Sequence, residues 1–311
     1  MKLKFSDNYN LFVIYLILNL SGYDDENNKK GMHPIRKKIR KNFLKYKKRY
    51  KELFGTMKGI LKKIHSHNVV QIFLIKREGV RIIKKNYYRG FLKDLKRVEE
   101  NLLAIKKFEK ETNLKNFYQK QYLSHLKTII ESKKAQNRLK KSQKDIVDFV
   151  EAKIRWKISV VLNLLEAYWR GNCFFLSKGN ALVVSGPDTK KINRYISWHN
   201  IAHETLHILI RYYIKKISEK RWNEIKDFIK KKVLDKDYKG GPSRFQLEET
   251  FVRAFTPLIM NENNPGYWNY LKNRFPLSEP IYKELKQKLV KGKVKFNRKI
   301  FEEILKKIEE L

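Results

Sequence analysis

The chain has 311 residues, of which 42% are hydrophobic, and this is enough for one large domain or two smaller ones with a buried core. Its 71 Lys and Arg residues against 32 Asp and Glu give a formal net charge of +39, which suggests an anionic partner such as nucleic acid, anionic lipid or an acidic protein. The single cysteine, Cys173, excludes an intramolecular disulfide and a cysteine-based zinc site, and it fits a reducing cytoplasm.

The first predicted element is the apolar run at residues 11–20, behind the basic start MKLK. This run is too short to span a bilayer, and no small-residue cleavage pattern follows it. We therefore predict a buried helix and no transmembrane span, with a signal peptide or an anchor as the alternative. Since glycine and proline are scarce, at 13 and 7 residues, the whole chain should be mostly helical.

Helices are predicted between residues 32 and 156, with a turn near residue 65 and a break at residue 113. His65 and His67 form an H-x-H pair, but the Ser and Asn around them favour solvated histidines in a turn, followed by a strand or a buried helix. Further on, Asn113 is a predicted helix break. Before it, apolar residues at 3-4-3-4-3 spacing predict one face of a long helix, which consists of Tyr88, Phe91, Leu95, Val98, Leu102 and Ile105.

The pattern changes at Lys157, where the β-branched, apolar segment KISVVLNLL predicts a buried strand. The segment CFFLSKGNALVVSG predicts a hairpin around the turn Lys178-Gly179-Asn180. Helices are predicted again near residues 198–210, 222–233 and 244–260 and from residues 281 and 299. The sequence thus predicts a predominantly helical α+β fold with a small antiparallel sheet, in which residues 1–156 pack on a core of residues 157–311 in one continuous domain.

The segment WHNIAHETLHILI places His203 and His207 four residues apart, with Glu204 between them. On a helix the two imidazoles lie on one face, about a turn apart, so both can bind one metal ion. Zinc bound there would lower the pKa of a bound water towards about 7, and Glu204 would act as general base and then as general acid. The opposite, mostly apolar face consists of Ile201, Thr205, Ile208, Leu209 and Tyr212.

A catalytic zinc needs a third protein ligand and one open position. His207 is the last histidine, so the third ligand is a carboxylate unless it comes from upstream, and Glu248 and Glu249 on the next buried helix are the candidates. Helical phase favours Glu248, which falls in the stripe of Phe251 and Phe255. A glutamate buried there needs a positively charged partner.

His203-Glu204-x-x-His207 with a glutamate on a second helix resembles the gluzincin pattern of zinc metallopeptidases. EETFVRAF is similar to the NExxVRA segment of an uncharacterised family of bacterial metallopeptidase-like proteins of unknown function. In that resemblance the ligand glutamate falls on Glu249 and Glu248 replaces an asparagine, which implies His203, His207 and Glu249 as the ligands of one Zn²⁺ ion. LFVIYLILNLSGYDD, HNVV, FEKETNLKNFYQK and CFFLSKGNALVVSG also resemble family segments in the same order. The resemblance implies a zincin-like catalytic core in residues 157–311 and makes residues 11–20 part of the fold.

This chain departs from the best-known gluzincins, which carry an aspartate four residues after the ligand glutamate, where it orients a zinc-binding histidine. Arg253 stands at that position and cannot accept a histidine N–H. We predict that Arg253 binds substrate, with a salt bridge to Glu248 or Glu249 as the alternative. The residue that orients the histidines is not identified by the sequence. Candidates to stabilise an oxyanion are Tyr212, Arg253, Tyr267 and Tyr270.

Two further features bear on substrate binding. His199 lies one turn before His203 and either lines the same cleft or packs against neighbours. The strand at residues 182–184 is predicted to be an edge strand that binds an extended peptide by strand addition.

The predicted function is zinc-dependent hydrolysis of a peptide bond in a peptide or protein substrate, in the cytoplasm. The first alternative is a basic, helical nucleic-acid-binding protein, which the absence of a recognised nucleic-acid-binding motif does not favour. The second alternative is a catalytically inactive zinc-binding scaffold. Zinc content and peptide hydrolysis together distinguish the three.

Overall fold

The computed structural model describes residues 1–23, 32–62, 66–78, 96, 98–151, 155–168, 170–177, 179–188, 195–234, 243–262 and 264–310. These residues are mostly helical and include one small four-stranded sheet, which confirms the α+β prediction. The chain divides into two compact units. The sheet unit comprises Leu3–Asn137 and Lys157–Asn200, and the helical unit comprises Met1–Lys2, Arg138–Trp156 and Ile201–Leu311.

Among the described residues, the sheet unit holds seven α-helices, one π-helix and nearly all of the sheet. Its elements are β1 (Lys2–Phe5), α1 (Tyr9–Leu20), α2 (Pro34–Leu44), α3 (Lys51–Leu61), α4 (Ser66–Glu78), α5 (Leu102–Glu111), α6 (Leu114–Phe117), a π-helix (Tyr118–Leu123), α7 (Ser124–Ile130), β2 (Lys157–Leu162), β3 (Gly171–Ser177) and β4 (Asn180–Ser185). The helical unit holds most of α8 (Lys133–Phe149) and α9 (Trp198–Ile214), and all of α10 (Glu219–Lys232), α11 (Ser243–Met260), α12 (Pro265–Lys272), α13 (Ser278–Lys288) and α14 (Arg298–Glu309).

Helix α1 is buried along its length, as predicted for residues 11–20. The Asn8 side chain caps its start by accepting a hydrogen bond from the Leu11 N–H at 2.8 Å. Its one buried polar side chain, Asn19, donates to the carbonyls of Tyr15 and Leu165 at 2.6 and 3.0 Å. Because Asn19 is hydrogen-bonded, its burial does not cost an unsatisfied polar group. Within the described part of the chain, every helix is too short or too polar to cross a membrane.

The region after residue 65 forms helix α4, which is the helical alternative of the prediction. His65 lies outside the described residues, but His67 is half-buried in α4 rather than in a turn. Its ring stacks on Phe174 with centroids 4.8 Å apart, and its Nδ1 lies 2.7 Å from Oδ1 of Asn172. Interpreting His67 as a solvated loop residue was therefore wrong, because a β-strand side chain packs against it.

The predicted apolar seam is only partly within the described residues. Tyr88, Phe91 and Leu95 lie outside them, whereas Val98 and Ile105 are fully buried. The predicted break is confirmed at Asn113, which adopts a left-handed conformation (φ 49°) between α5 and α6.

The sheet has the strand order β1-β2-β4-β3 and is mixed, which corrects the prediction of an antiparallel sheet. The hairpin β3–β4 is antiparallel, as predicted, but β2 and β4 run parallel, with Val160 opposite Val183. After β2 the chain forms β3 at the outer edge of the sheet and then returns as β4, which lies between β3 and β2 and runs in the same direction as β2. The sequences of short apolar strands do not determine which strand pairs with which.

Strand β4 lies inside the sheet, paired with β2 on one side and β3 on the other. The hypothesis that residues 182–184 form a free edge for a peptide is therefore wrong, because both sides of this backbone already have partners. The side chains of Leu182, Val183 and Val184 are buried, and Leu182 and Val184 belong to the same core cluster as α1.

The helical unit has an aromatic core of its own. The Phe255 and Phe296 rings pack edge to face at 4.8 Å, and Phe251 and Phe301 lie 5.2 Å apart. Tyr213 of α9 packs on Phe296 at 5.0 Å, and its hydroxyl donates to the Glu151 carbonyl at 2.8 Å. Such offset and edge-on pairs hold α9 and α11 against the same cluster.

Candidate metal centre

Helix α9 carries the HExxH segment with one face in the core, as the sequence predicts. Of the five residues predicted for the apolar face, Ile201, Thr205, Ile208 and Leu209 are at most 3% exposed. Tyr212 is only half-buried, with the Lys216 ammonium 5.8 Å from its ring. A helix held along its core face presents its other side chains with little freedom, which is what a metal site requires.

Helix α11 supplies the carboxylates, and it is buried enough to hold them rigidly. Leu247, Phe251, Val252 and Phe255 are fully buried. Between them, Glu248 and Glu249 are each 1% exposed. Two adjacent carboxylates so deep in a protein need cationic or N–H partners. Glu248 and Glu249 have different partners.

A proline inside α11 explains one further contact. Pro257 has no N–H, so the Arg253 carbonyl one turn before it lacks its helical donor. The Tyr267 hydroxyl donates to that carbonyl at 3.0 Å. Burial raises the pKa of Tyr267, and this hydroxyl supports the helix.

His203, His207 and Glu249 come together as a group that can bind a metal ion. Nε2 of His207 lies 3.3 Å from Nε2 of His203 and 3.1 Å from Oε2 of Glu249. Nε2 of His203 lies 3.6 Å from Oε1 of Glu249. One atom from each residue falls within 4.8 Å of the others, and among the described residues this is the one such group of three or more. His199 does not belong to it.

The donor set suits a borderline divalent cation. Two imidazole nitrogens and one carboxylate oxygen form the set that binds catalytic zinc in known two-His, one-Glu sites, and other imidazole-binding metals use the same donors. Glu249 adds a buried negative charge beside the two imidazoles, and a metal cation bound there would offset it. The residues present therefore fit a metal ion, and the geometry does not choose which metal.

The three candidate ligands differ in their ionisation. Burial lowers the pKa of His203 to about 4. Burial also acts to lower the pKa of His207, but its contacts with Glu248 and Glu249 outweigh burial and raise the pKa to about 10. Burial raises the pKa of Glu249, but the charge of Arg253 and the contact with His203 hold it well below its usual value. Glu249 is therefore a carboxylate, the form that ligates metals.

Glu204 is buried beside this charged group, with 9% of its surface exposed. Burial raises its pKa to about 7, while the charges of His207, Arg211 and Arg253 act to lower it and that of Glu249 acts to raise it. A carboxyl group near neutrality can both accept and return a proton at physiological pH.

Arg253 does pair with Glu249, as the alternative interpretation expected. Its Nη2 lies 2.7 Å from Oε1 of Glu249, and its guanidinium stands 4.6 Å above the Phe275 ring. Contact with Oε1 leaves Oε2 as the oxygen nearer to His207. The role of Arg253 in binding substrate stays a prediction.

Three residues around the group were missed or misjudged from the sequence: Arg211, Glu248 and Thr256. Glu248 lies 2.8 Å from Nδ1 of His207, on the ring edge away from Glu249. Oγ1 of Thr256 lies 3.3 Å from Nδ1 of His203. Arg211 follows His207 by four residues, so the two side chains share a face of α9. This spacing could have indicated Arg211 as the partner of a glutamate that contacts His207.

Comparison of the chain with family models, with curated proteins and with solved structures gave no match. The gluzincin resemblance and the zincin-like core therefore stay predictions that depend on the motif residues themselves.

Proposed function

We propose that the protein is a zinc-dependent peptidase that hydrolyses peptide bonds. The observation that carries this proposal is the convergence of His203, His207 and Glu249 from α9 and α11, with the buried Glu204 next to the first histidine. Three protein ligands leave a tetrahedral ion one open position, which is typical of catalytic zinc sites.

Zinc bound by these ligands would supply a Lewis acid that lowers the pKa of water and polarises a substrate carbonyl. The protein supplies the proton transfer. Glu204 takes a proton from the attacking water and returns it to the leaving amine, and its pKa of about 7 suits both steps. Arg253 holds Oε1 of Glu249, and the other oxygen, Oε2, lies 3.1 Å from Nε2 of His207.

The test compares three purified variants with the native protein by elemental analysis and by hydrolysis of casein and a peptide library. His203→Ala should lose both zinc and hydrolysis, because a ligand is gone. Glu204→Gln should keep zinc and lose hydrolysis by a factor of at least about 10², because the amide cannot accept the proton. Glu279→Gln, which removes a half-exposed carboxylate that pairs with Lys283 in α13, is the matched control and should change neither.

Metal removal gives the complementary result. A chelator should abolish hydrolysis by the native protein, and added Zn²⁺ should restore it. Native protein without zinc, or Glu204→Gln protein that hydrolyses peptides at the native rate, would contradict the proposal. One zinc ion per chain without turnover on any peptide would support the inactive scaffold instead.

A second candidate function is favoured by one observation, the formal net charge of +39. Nucleic-acid binding through lysines would be tight at low salt and would weaken steeply as salt rises, because bound counterions are released. Binding of this kind by native and His203→Ala protein alike, together with absence of zinc, would support it.

A further inference from the structure

We infer that Glu248 and Thr256 are positioning residues that orient the two histidines of the metal site, and that Arg211 holds Glu248 in place. The inference rests on the proposed function to the extent that a metal binds there. In the known gluzincins an aspartate accepts the N–H of a zinc-binding histidine. This chain has Arg253 at that position, so other residues must accept the histidine protons, and the inference identifies them.

On His207, the two ring nitrogens contact two different glutamates. Nδ1 lies 2.8 Å from Oε1 of Glu248, while Nε2 lies 3.1 Å from Oε2 of Glu249. If Glu248 accepts the Nδ1 proton, the Nε2 lone pair points to the metal position. The neighbouring side chains thus assign one nitrogen to the protein and the other to the ion.

Arg211 restrains the Glu248 carboxylate with two of its guanidinium nitrogens. Its Nε donates to Oε2 at 2.7 Å, and its Nη2 donates to Oε1 at 2.7 Å. Such a two-point contact fixes the plane of the carboxylate. With two guanidinium N–H groups donating to it, Glu248 is placed as an acceptor for the Nδ1 proton of His207.

For His203, the acceptor is the Thr256 hydroxyl, whose own proton is donated to a backbone carbonyl. Oγ1 of Thr256 donates to the Val252 carbonyl at 2.8 Å, one turn earlier in α11. The oxygen therefore faces Nδ1 of His203, at 3.3 Å, with its lone pairs available as acceptors. His203 is thus oriented by a neutral group and His207 by a charged one.

The two acceptors predict unequal effects on metal affinity. Glu248→Gln removes a charged acceptor and leaves Arg211 without its carboxylate, so we expect the zinc Kd to rise by about 10- to 100-fold. Thr256→Val keeps the shape of the side chain and removes one neutral hydrogen bond, so we expect a rise of about 2- to 10-fold.

Thr250 offers a matched control on the same helix. It is as buried as Thr256 and donates to the Gln246 carbonyl at 2.7 Å, but it does not take part in the group around the histidines. Thr250→Val should leave the zinc Kd unchanged. Any general effect of deleting a buried threonine hydroxyl from α11 would appear in this control.

The experiment measures the zinc Kd of each full-length variant by competition with a chromophoric chelator, and the visible absorption of the Co²⁺-substituted proteins. We expect weaker zinc binding and a changed Co²⁺ spectrum for Glu248→Gln and Thr256→Val only. If Glu248→Gln fails to fold, Glu248→Asp keeps the charge for Arg211 but is one methylene shorter, and it should weaken zinc binding as well.

Two negative outcomes are distinguishable. Native protein that binds no zinc would overturn the proposed function. Native protein that binds zinc, with a Kd shared by the Glu248, Thr256 and Thr250 variants, would overturn the positioning roles and leave the peptidase proposal intact.

Discussion

Glu248 and Glu249 are neighbours in the sequence, yet they contact opposite edges of one imidazole ring. The sequence identified the three motif residues and both glutamates because helical spacing constrains which side chains share a face. Helical phase alone favoured Glu248 as the ligand, and the resemblance favoured Glu249, which is the one that groups with the two histidines. Helical phase was a poor guide here, because both carboxylates are buried and each contacts a different nitrogen of His207.

Thr256 and Arg211 show a second limit of the sequence at this scale. Each contacts a residue more than 35 positions away, across two different helices. The side-chain types are common at buried helix positions, so nothing local distinguishes them. Only the packing of α9 against α11 gives them a role.

Two glycines in different surroundings, Gly186 and Gly55, lead to a prediction about single residues. A Cβ on Gly186 would lie 2.2 Å from the Ala167 carbonyl oxygen, which is backbone and cannot easily move. We expect Gly186→Ala to lower the free energy of unfolding by about 1–3 kcal/mol or more, measured by urea denaturation.

The matched control is Gly55→Ala in α3, where a Cβ would meet nothing within 4 Å. Alanine has the higher helix propensity, so this change should raise the free energy of unfolding by about 0.5–1 kcal/mol. Equal effects of the two substitutions would show that the close approach at Gly186 is not present in solution.

At the scale of elements, the sequence predicted what local pattern controls. The uninterrupted apolar run of α1 and the antiparallel pairing of β3 with β4 follow from local signals, and both predictions are confirmed. Lys178, in the predicted turn between these strands, lies outside the described residues. The parallel pairing of β2 with β4, the interior place of β4 and the extra strand β1 depend on which strands become neighbours. Short apolar strands of similar composition carry little information about that choice.

The burial of α1 leads to a prediction with a matched control. Leu16 is completely buried in α1, whereas Leu103 in α5 is 77% exposed. We expect Leu16→Ala to lower the free energy of unfolding by about 2–5 kcal/mol, because it opens a cavity in the core. Leu103→Ala should change it by less than about 0.5 kcal/mol. Urea denaturation of both variants measures the difference, and an unchanged Leu16→Ala protein would contradict the core role of α1.

At the scale of the whole molecule, the net charge of +39 acts on stability without any single partner. Like charges repel more in a compact state than in an extended one. Raising NaCl from about 0.01 M to about 0.1 M shortens the screening length from about 30 Å to about 10 Å. We therefore expect the urea midpoint of the protein to rise over this range, and a midpoint that falls would indicate that attractive surface ion pairs dominate.

The division into units is also a property of the whole chain that composition did not reveal. The predicted boundary at residues 156–157 coincides with one of the points at which the chain passes between units. Of the other three, one lies at residues 2–3 within β1, and those near residues 137 and 200 fall inside α8 and inside the first turn of α9, where helical periodicity continues without interruption. Whether the two units behave as one continuous domain stays a prediction.

The sheet unit is assembled from two stretches that the segment Arg138–Trp156 separates in the chain. The strand residues Leu162 and Val184 share a core cluster with the apolar α1, but they leave the ribosome more than 140 residues after it. Helices α2, α3 and α4, which also pack on α1, emerge soon after it, but during that interval the surface of α1 that shares a core with the strands stays uncovered. Synthesis of this protein should therefore depend on chaperones that shield emerging chains, and pauses in translation after residue 200 should help it to mature.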